Sequence, residues 1–251
     1  MAETTIKVVK ENFSDFKDKI SNLSNISNNL KIRFENDKIL VYAAKNVETA
    51  IQAFKSYTLE LSDYFECDNT GIYELVITES AKFAKNISLF NNDKDIKLDI
   101  TYKKTSDINH IRSACFSNGK IKANVIGGEL HAMMATNISK LSNSFNLDNS
   151  LWGFNISKED FKNIKKMCAI NSEETVVNVS VENGIVTLNE LTKWEYVVDE
   201  ISHKNDNVVL IKKYLSFVTG NEDIEINVFE KFILVDDGIS KLMLGIEQTF
   251  E

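Results

Sequence analysis

The chain has no proline and only 9 glycines in 251 residues, which excludes Pro- or Gly-rich linkers and collagen-like or low-complexity segments. Its three cysteines, Cys67, Cys115 and Cys168, are odd in number and far apart. They make neither a disulfide framework nor a metal knuckle, and they suit a reducing, cytoplasmic compartment. Arginine is confined to Arg33 and Arg112. No apolar run approaches the roughly 20 residues needed to span a bilayer. Residues 1–10 lack an apolar core of leader length, so neither export nor membrane contact is expected. Phosphate-binding glycine signatures are missing: neither G-x-x-x-x-G-K-[ST] nor G-x-G-x-x-G occurs. His110, His131 and His203 stand apart from one another and from cysteines at zinc spacing, so no metal or cofactor is expected. No nucleophile lies in a recognisable setting, so no catalytic residue is assigned and an enzyme is not favoured.

What is present is best read at 156–190, ISKEDFKNIKKMCAINSEETVVNVSVENGIVTLNE. At 100° per residue Phe161, Ile164, Met167 and Cys168 share one side of a helix, while Lys158, Lys162, Lys165 and Lys166 gather on the other. Ser157 is a plausible N-cap, with Glu159 and Asp160 in the first turn where the helix dipole favours anions. The period then changes to two. Val177, Val179 and Val181 alternate with polar residues, Asn183-Gly184 turns the chain, and 185–188 returns as a partner strand.

The same unit occurs near the start of the chain. Asp15-Phe16-Lys17 opens a helix as Asp160-Phe161-Lys162 does, and Leu30, Ile32 and Phe34 alternate into a turn at 35–37. An internal repeat about 145 residues apart implies two similar domains rather than a short solenoid. The expected division is 1–128, a Ser/Asn-rich connector at 129–150, and 151–251. Helices are expected at 12–24, 78–90, 157–170 and 208–218, with an acidic loop at 62–70 and antiparallel strands filling the rest. The fold class is α+β, each domain pairing antiparallel sheet with two helices on one face.

The net charge is −8, yet its distribution matters more than its sum. The four expected helices are together basic, so the remainder is more acidic than the whole. A lysine-rich outer face is by itself an ordinary solvated surface. Recurrence in three of four helices of an acidic chain is what points to a partner. Lysine meets phosphate as a flexible point charge, without the fixed fork of arginine, which suits mobile, sequence-independent contact with duplex DNA.

The repeated topology and the helix-then-hairpin stretch at 161–190 resemble the two-domain DNA polymerase sliding clamps, the family of proliferating cell nuclear antigen and the tailed-phage clamps. The resemblance covers nearly the whole chain. It implies a non-enzymatic processivity factor, a head-to-tail homotrimeric ring with helices lining the hole. The implied DNA-facing residues are Lys17, Lys82, Lys85, Lys158, Lys162, Lys165, Lys166, Lys212 and Lys213. Subunit contact is implied between one edge strand, with Lys120, Ile121, Lys122, Ala123 and Val125, and another with Trp194, Tyr196 and Val198. DNA polymerase and clamp-loader peptides are implied to dock on Tyr42, Ala44, Val47, Leu130, Met133, Met134, Ile246 and Phe250; methionines suit an adaptable groove. Two alternatives stay open: a monomeric viral processivity factor that binds DNA directly, and a phage structural or assembly protein with duplicated α+β domains.

Overall fold

The computed structural model describes residues 1–47, 50–66, 71–90, 95–105, 107–129, 145–170, 176–182, 185–188, 194–197, 206–219 and 223–246. Two compact units emerge: Met1–Ala44 with Lys55–Thr136, and Lys45–Phe54 with Asn137–Glu251. Most of the expected connector, 130–144, lies outside the described residues.

In the first unit β1 (Ala2–Val8) leads into α1 (Lys10–Ser24), then the hairpin β2 (Leu30–Glu35) and β3 (Lys38–Val47), and β4 (Ala50–Glu60), although Lys45–Phe54, the end of β3 and the start of β4, groups with the second unit. Where an acidic loop is expected at 62–70, a single helical turn, α2 (Leu61–Tyr64), and β5 (Phe65–Glu66) stand at its start, and 67–70 lie outside the described residues. There Leu61 and Phe65 are buried, and Lys7↔Glu66 and Val8↔Phe65 pair β5 with β1. Next come β6 (Tyr73–Ile77), α3 (Ser80–Ser88), β7 (Ile96–Lys103), β8 (Asn109–Ser117) and β9 (Lys122–Ile126). The strands run β3-β2-β6-β8-β7-β1-β5, with β9 on β8. Every pairing in that run is antiparallel except a two-residue parallel contact of β6 with β8.

Helix α1 forms because Phe13, Phe16, Ile20 and Leu23 recur on one face, and all four are buried. Phe16 meets Phe65 edge-on at 5.4 Å, and Phe13 and Phe83 of α3 each lie 6.1 Å from Phe116 of β8. Burying each such ring contributes roughly 1.5–3 kcal/mol relative to exposure. The β2–β3 turn places Asn36 at φ 52°, a conformation asparagine tolerates better than most side chains.

The second unit repeats the plan. β10 (Trp152–Ile156) leads into α4 (Lys158–Ile170), followed by β11 (Val176–Glu182), β12 (Ile185–Leu188), β13 (Trp194–Val197) and β14 (Asp206–Ile211). A 3-10 segment, Lys212–Phe217, precedes β15 (Ile224–Val228), β16 (Phe232–Asp236) and β17 (Ser240–Gly245). One sheet runs β10-β15-β16-β17 and another β13-β12-β11-β14. The first matches β1-β7-β8-β9 of the opening unit, and the second matches β4-β3-β2-β6. The fold is thus α+β with two similar domains.

Two expectations need correction. Residues 208–218 are not one helix: 206–211 pair with β11, from Val181↔Asp206 to Val176↔Ile211. The run Val208-Val209-Leu210-Ile211 is mostly β-branched and fits a pleated ladder better than a helix. The helix repeat is also displaced by one turn. Phe13, Phe16 and Lys17 correspond to Phe161, Ile164 and Lys165, because these are the residues whose burial and contacts coincide.

Candidate nucleic-acid interface

Helix α4 starts on a side-chain cap at Ser157. Asp160 donates its backbone N–H to Ser157 Oγ at 3.1 Å, and the hydroxyl donates to Asp160 Oδ2 at 2.6 Å. Phe161 and Ile164 are buried beneath it, which turns Lys162 and Lys166 to solvent. Lys158 is half-buried. Lys165 is half-buried too, and donates to the Val218 carbonyl at 2.8 Å; burial pushes its ammonium below the ordinary lysine value. Lys212 and Lys213 lie on the 3-10 segment, and their side chains are outside the described part.

On α3, Phe83 and Ile87 are buried while Lys82 and Lys85 are exposed. Lys82 pairs with Glu79 Oε2 at 3.2 Å, but both side chains are 69% exposed, so solvent competes with the pair. Helix α1 differs. Its exposed positions are Glu11, Ser14, Asp15, Asp18 and Ser21, and Lys19 is held by Asp15. Lys17 is half-buried and donates to the Phe90 carbonyl at 2.9 Å. Among the described DNA-facing candidates the exposed cations are therefore Lys82, Lys85, Lys162 and Lys166.

Of the residues chosen for subunit contact, Lys120, Ile121 and Lys122 are exposed, whereas Ala123 and Val125 turn inward at 7% and 8% exposure. Among the described residues β9 pairs only with β8, so its other edge is unpaired. Ile126, the end of the expected contact strand but not among the residues chosen from it, is 82% exposed. It borders a groove of 290 Å³ shared with Glu79, Lys82, Asn86 and Asn124. An exposed isoleucine ending a strand was the signal that could have found it. β13 ends its sheet beside β12; the side chains of Trp194 and Tyr196, and all of Val198, fall outside the described residues.

Of the peptide-pocket set, Tyr42 is 2% exposed, and Ala44 and Ile246 are half-buried. The Val47 side chain and Leu130, Met133, Met134 and Phe250 fall outside the described residues. Near Tyr42 is a cluster that sequence reasoning missed. Glu74, 4% exposed, accepts from Arg33 and Lys31 at 3.1 Å each, and Arg33 also reaches Glu35 at 2.8 Å. The alternation Lys31-x-Arg33-x-Glu35 on β2 opposite Glu74 was its only trace.

These elements, taken with their order, define the DNA polymerase sliding-clamp fold. No protein-family model and no curated protein sequence matches the chain. Solved structures do. The Helicobacter pylori beta clamp bound to a DNA ligase peptide matches with TM-score 0.70 at 10% identity, over 99% of this chain and 68% of that one. The Pseudomonas aeruginosa DNA polymerase sliding clamp gives 0.70 at 10%, over 99% and 65%. PCNA of Thermococcus kodakaraensis gives 0.64 at 7%, over 97% of this chain and all of that one. The chain spans about two thirds of the bacterial clamps it matches. At such identities the likeness is one of fold. Among the described residues no helix is long and apolar enough to cross a membrane.

Proposed function

We propose that the chain is a DNA polymerase sliding clamp, a processivity factor that encircles duplex DNA without sequence preference and performs no chemistry. The observation that carries the reading is a clamp fold of net charge −8 whose exposed helix faces on α3 and α4 present Lys82, Lys85, Lys162 and Lys166. An acidic body with local cationic faces binds phosphate weakly there and repels it elsewhere, which favours sliding over fixed attachment. Lys158, Lys212 and Lys213 belong to the same proposed surface.

Ring closure is proposed as a head-to-tail homotrimer, the β9 edge of one subunit meeting the β13 edge of the next. Support comes from the unpaired edge of β9 and from the match over the whole length of the archaeal PCNA. A heterologous contact of this kind closes when its rotation permits. Polymerase and clamp-loader peptides are proposed to dock around Ala44, Val47, Leu130, Met133, Met134, Ile246 and Phe250, with Tyr42 beneath; a neighbour of the same fold was solved with a DNA ligase peptide.

The test is solution mass by light scattering over a concentration series, followed by retention on nicked circular and linear DNA with a loader. Three chain masses and retention on circles alone is the expected result. A monomer at every concentration that binds DNA directly in a salt-dependent way overturns the ring in favour of a monomeric processivity factor. Indifference to DNA and polymerase leaves the structural protein.

A further inference from the structure

The two units share a contact that neither the lysine pattern nor the clamp reading requires. In the first, Lys17 Nζ lies 5.3 Å from the ring centre of Phe13, four residues back, and donates to the carbonyl of Phe90. In the second, Lys165 Nζ lies 5.9 Å from the ring centre of Phe161, also four residues back, and donates to the carbonyl of Val218. The acceptors are equivalent too. Phe90 follows the end of α3, its N–H bonded to the Ile87 carbonyl at 3.2 Å. Val218 follows the 3-10 segment, its N–H bonded to the Leu215 carbonyl at 3.3 Å. Phe90 and Val218 are 0% and 2% exposed. A cation thus meets a carbonyl just past the end of a helical segment, where the negative end of the dipole favours it.

We propose that Lys17 and Lys165 are a repeated latch: positioning residues that tie the second helical segment of each unit to the first, and not phosphate ligands. In the first unit the opposite end of α3 is already held, since Ser80 donates its N–H to the Asn28 carbonyl at 2.9 Å and its hydroxyl to the Ser27 carbonyl at 2.6 Å. Lys17 fixes the free end, and between the two anchors stand Lys82 and Lys85. The half-burial of both ammoniums and the lowered pKa of Lys165 agree with a carbonyl partner in place of a solvated phosphate. A carbonyl bonded to a charged donor is worth more than a neutral pair, so its loss is readable locally.

The experiment is amide hydrogen exchange on the full chain. Lys17→Met is expected to speed exchange of the Phe90 amide about tenfold or more, leaving the β2–β3 hairpin unchanged, while Lys17→Arg retains most of the protection. Lys165→Met is expected to do the same to the Val218 amide and to leave Phe90 alone. Unchanged exchange at both amides overturns the latch, and the two units supply independent variants should one fail to fold. The exclusion of phosphate rests on the clamp reading and is tested separately, by the salt slope of DNA affinity. Lys85→Ala is expected to lower the slope by about 0.9, and Lys17→Met to leave it unchanged. An equal fall for Lys17→Met overturns the exclusion. Wild-type protein without salt-dependent DNA affinity overturns the clamp reading instead, and the exchange result still decides the latch.

Discussion

Lys17 Nζ donates to the backbone carbonyl of Phe90 at 2.9 Å, joining α1 to the chain leaving α3. Periodicity places Lys17 at the flank of the buried stripe and only the resemblance implies that it faces DNA; the contact draws it inward. Its partners on α1 do not restore the charge, because Glu11, Asp15 and Asp18 are exposed and Lys19 is held by Asp15. The proposed DNA contact of the first unit therefore falls to α3. Replacing Lys82, Lys85, Lys162 and Lys166 together by glutamate should abolish retention on circular DNA with little change in unfolding midpoint, since all four are exposed. Unimpaired DNA synthesis by the polymerase with this variant would sink the assignment.

Among the described residues Glu74 is the buried anion of the first unit, facing Arg33 and Lys31. Removing its carboxylate takes the carboxylate partner from Lys31 and leaves Arg33 with Glu35 alone, and breaking a buried ion pair costs about 3–5 kcal/mol. Glu74→Ala should lower the urea midpoint accordingly, whereas Glu35→Ala, whose side chain is 43% exposed, should cost well under half as much. Equal losses would show that burial is not what makes the cluster matter.

Alkaline pH offers a signed test. Burial, and then the nearby Glu74 carboxylate, raise the Tyr42 phenol above its ordinary 10.0. Burial and the hydrogen bond to Asp15 do the same for Tyr64. The folded chain then holds protons that the unfolded chain releases, so this stabilisation is complete below pH 10 and is lost as pH rises above it. The denaturation midpoint should fall as pH rises from about 10 to about 12, and Tyr42→Phe with Tyr64→Phe should flatten that fall. Lys165 acts in the opposite sense, its depressed value adding stability as pH rises toward 10.5.

Gly127 lies where β9 ends, its N–H bonded to the Arg112 carbonyl at 2.8 Å. A Cβ there would strike the carbonyl oxygen of Ile111, which is backbone and cannot swing aside. Gly127→Ala should therefore cost roughly 1–3 kcal/mol by forcing the end of β9 away from β8. A thermal scan showing no loss would mean that the strand end yields freely.

Ile126 tests the proposed ring without disturbing the fold. At 82% exposure it adds little to the core of its own subunit. Ile126→Asp should reduce the assembled mass in light scattering while the unfolding midpoint of the monomer stays put. Undiminished assembly would place the subunit contact elsewhere.

The secondary elements and their repetition were legible wherever one periodicity ruled. α1 and α4 show a 3.6-residue stripe, and the hairpins β2–β3 and β11–β12 show strict alternation about Asn-containing turns. At 208–218 two signals overlapped, since four consecutive aliphatic residues precede Lys212 and Lys213. Only the ladder with β11 decided for a strand.

Sequence by itself determined the α+β class, the duplication, the acidic balance and which helices carry lysine, because each follows from local order and composition. Tertiary structure alone decided which acceptors Lys17 and Lys165 meet. An ammonium on a flexible stem takes whichever acceptor lies within reach, and for Lys17 and Lys165 that acceptor is a carbonyl distant in sequence, on Phe90 and Val218. The grouping of Lys45–Phe54 with the second unit and the buried Glu74 cluster are of the same kind. Both depend on partners that no local pattern names.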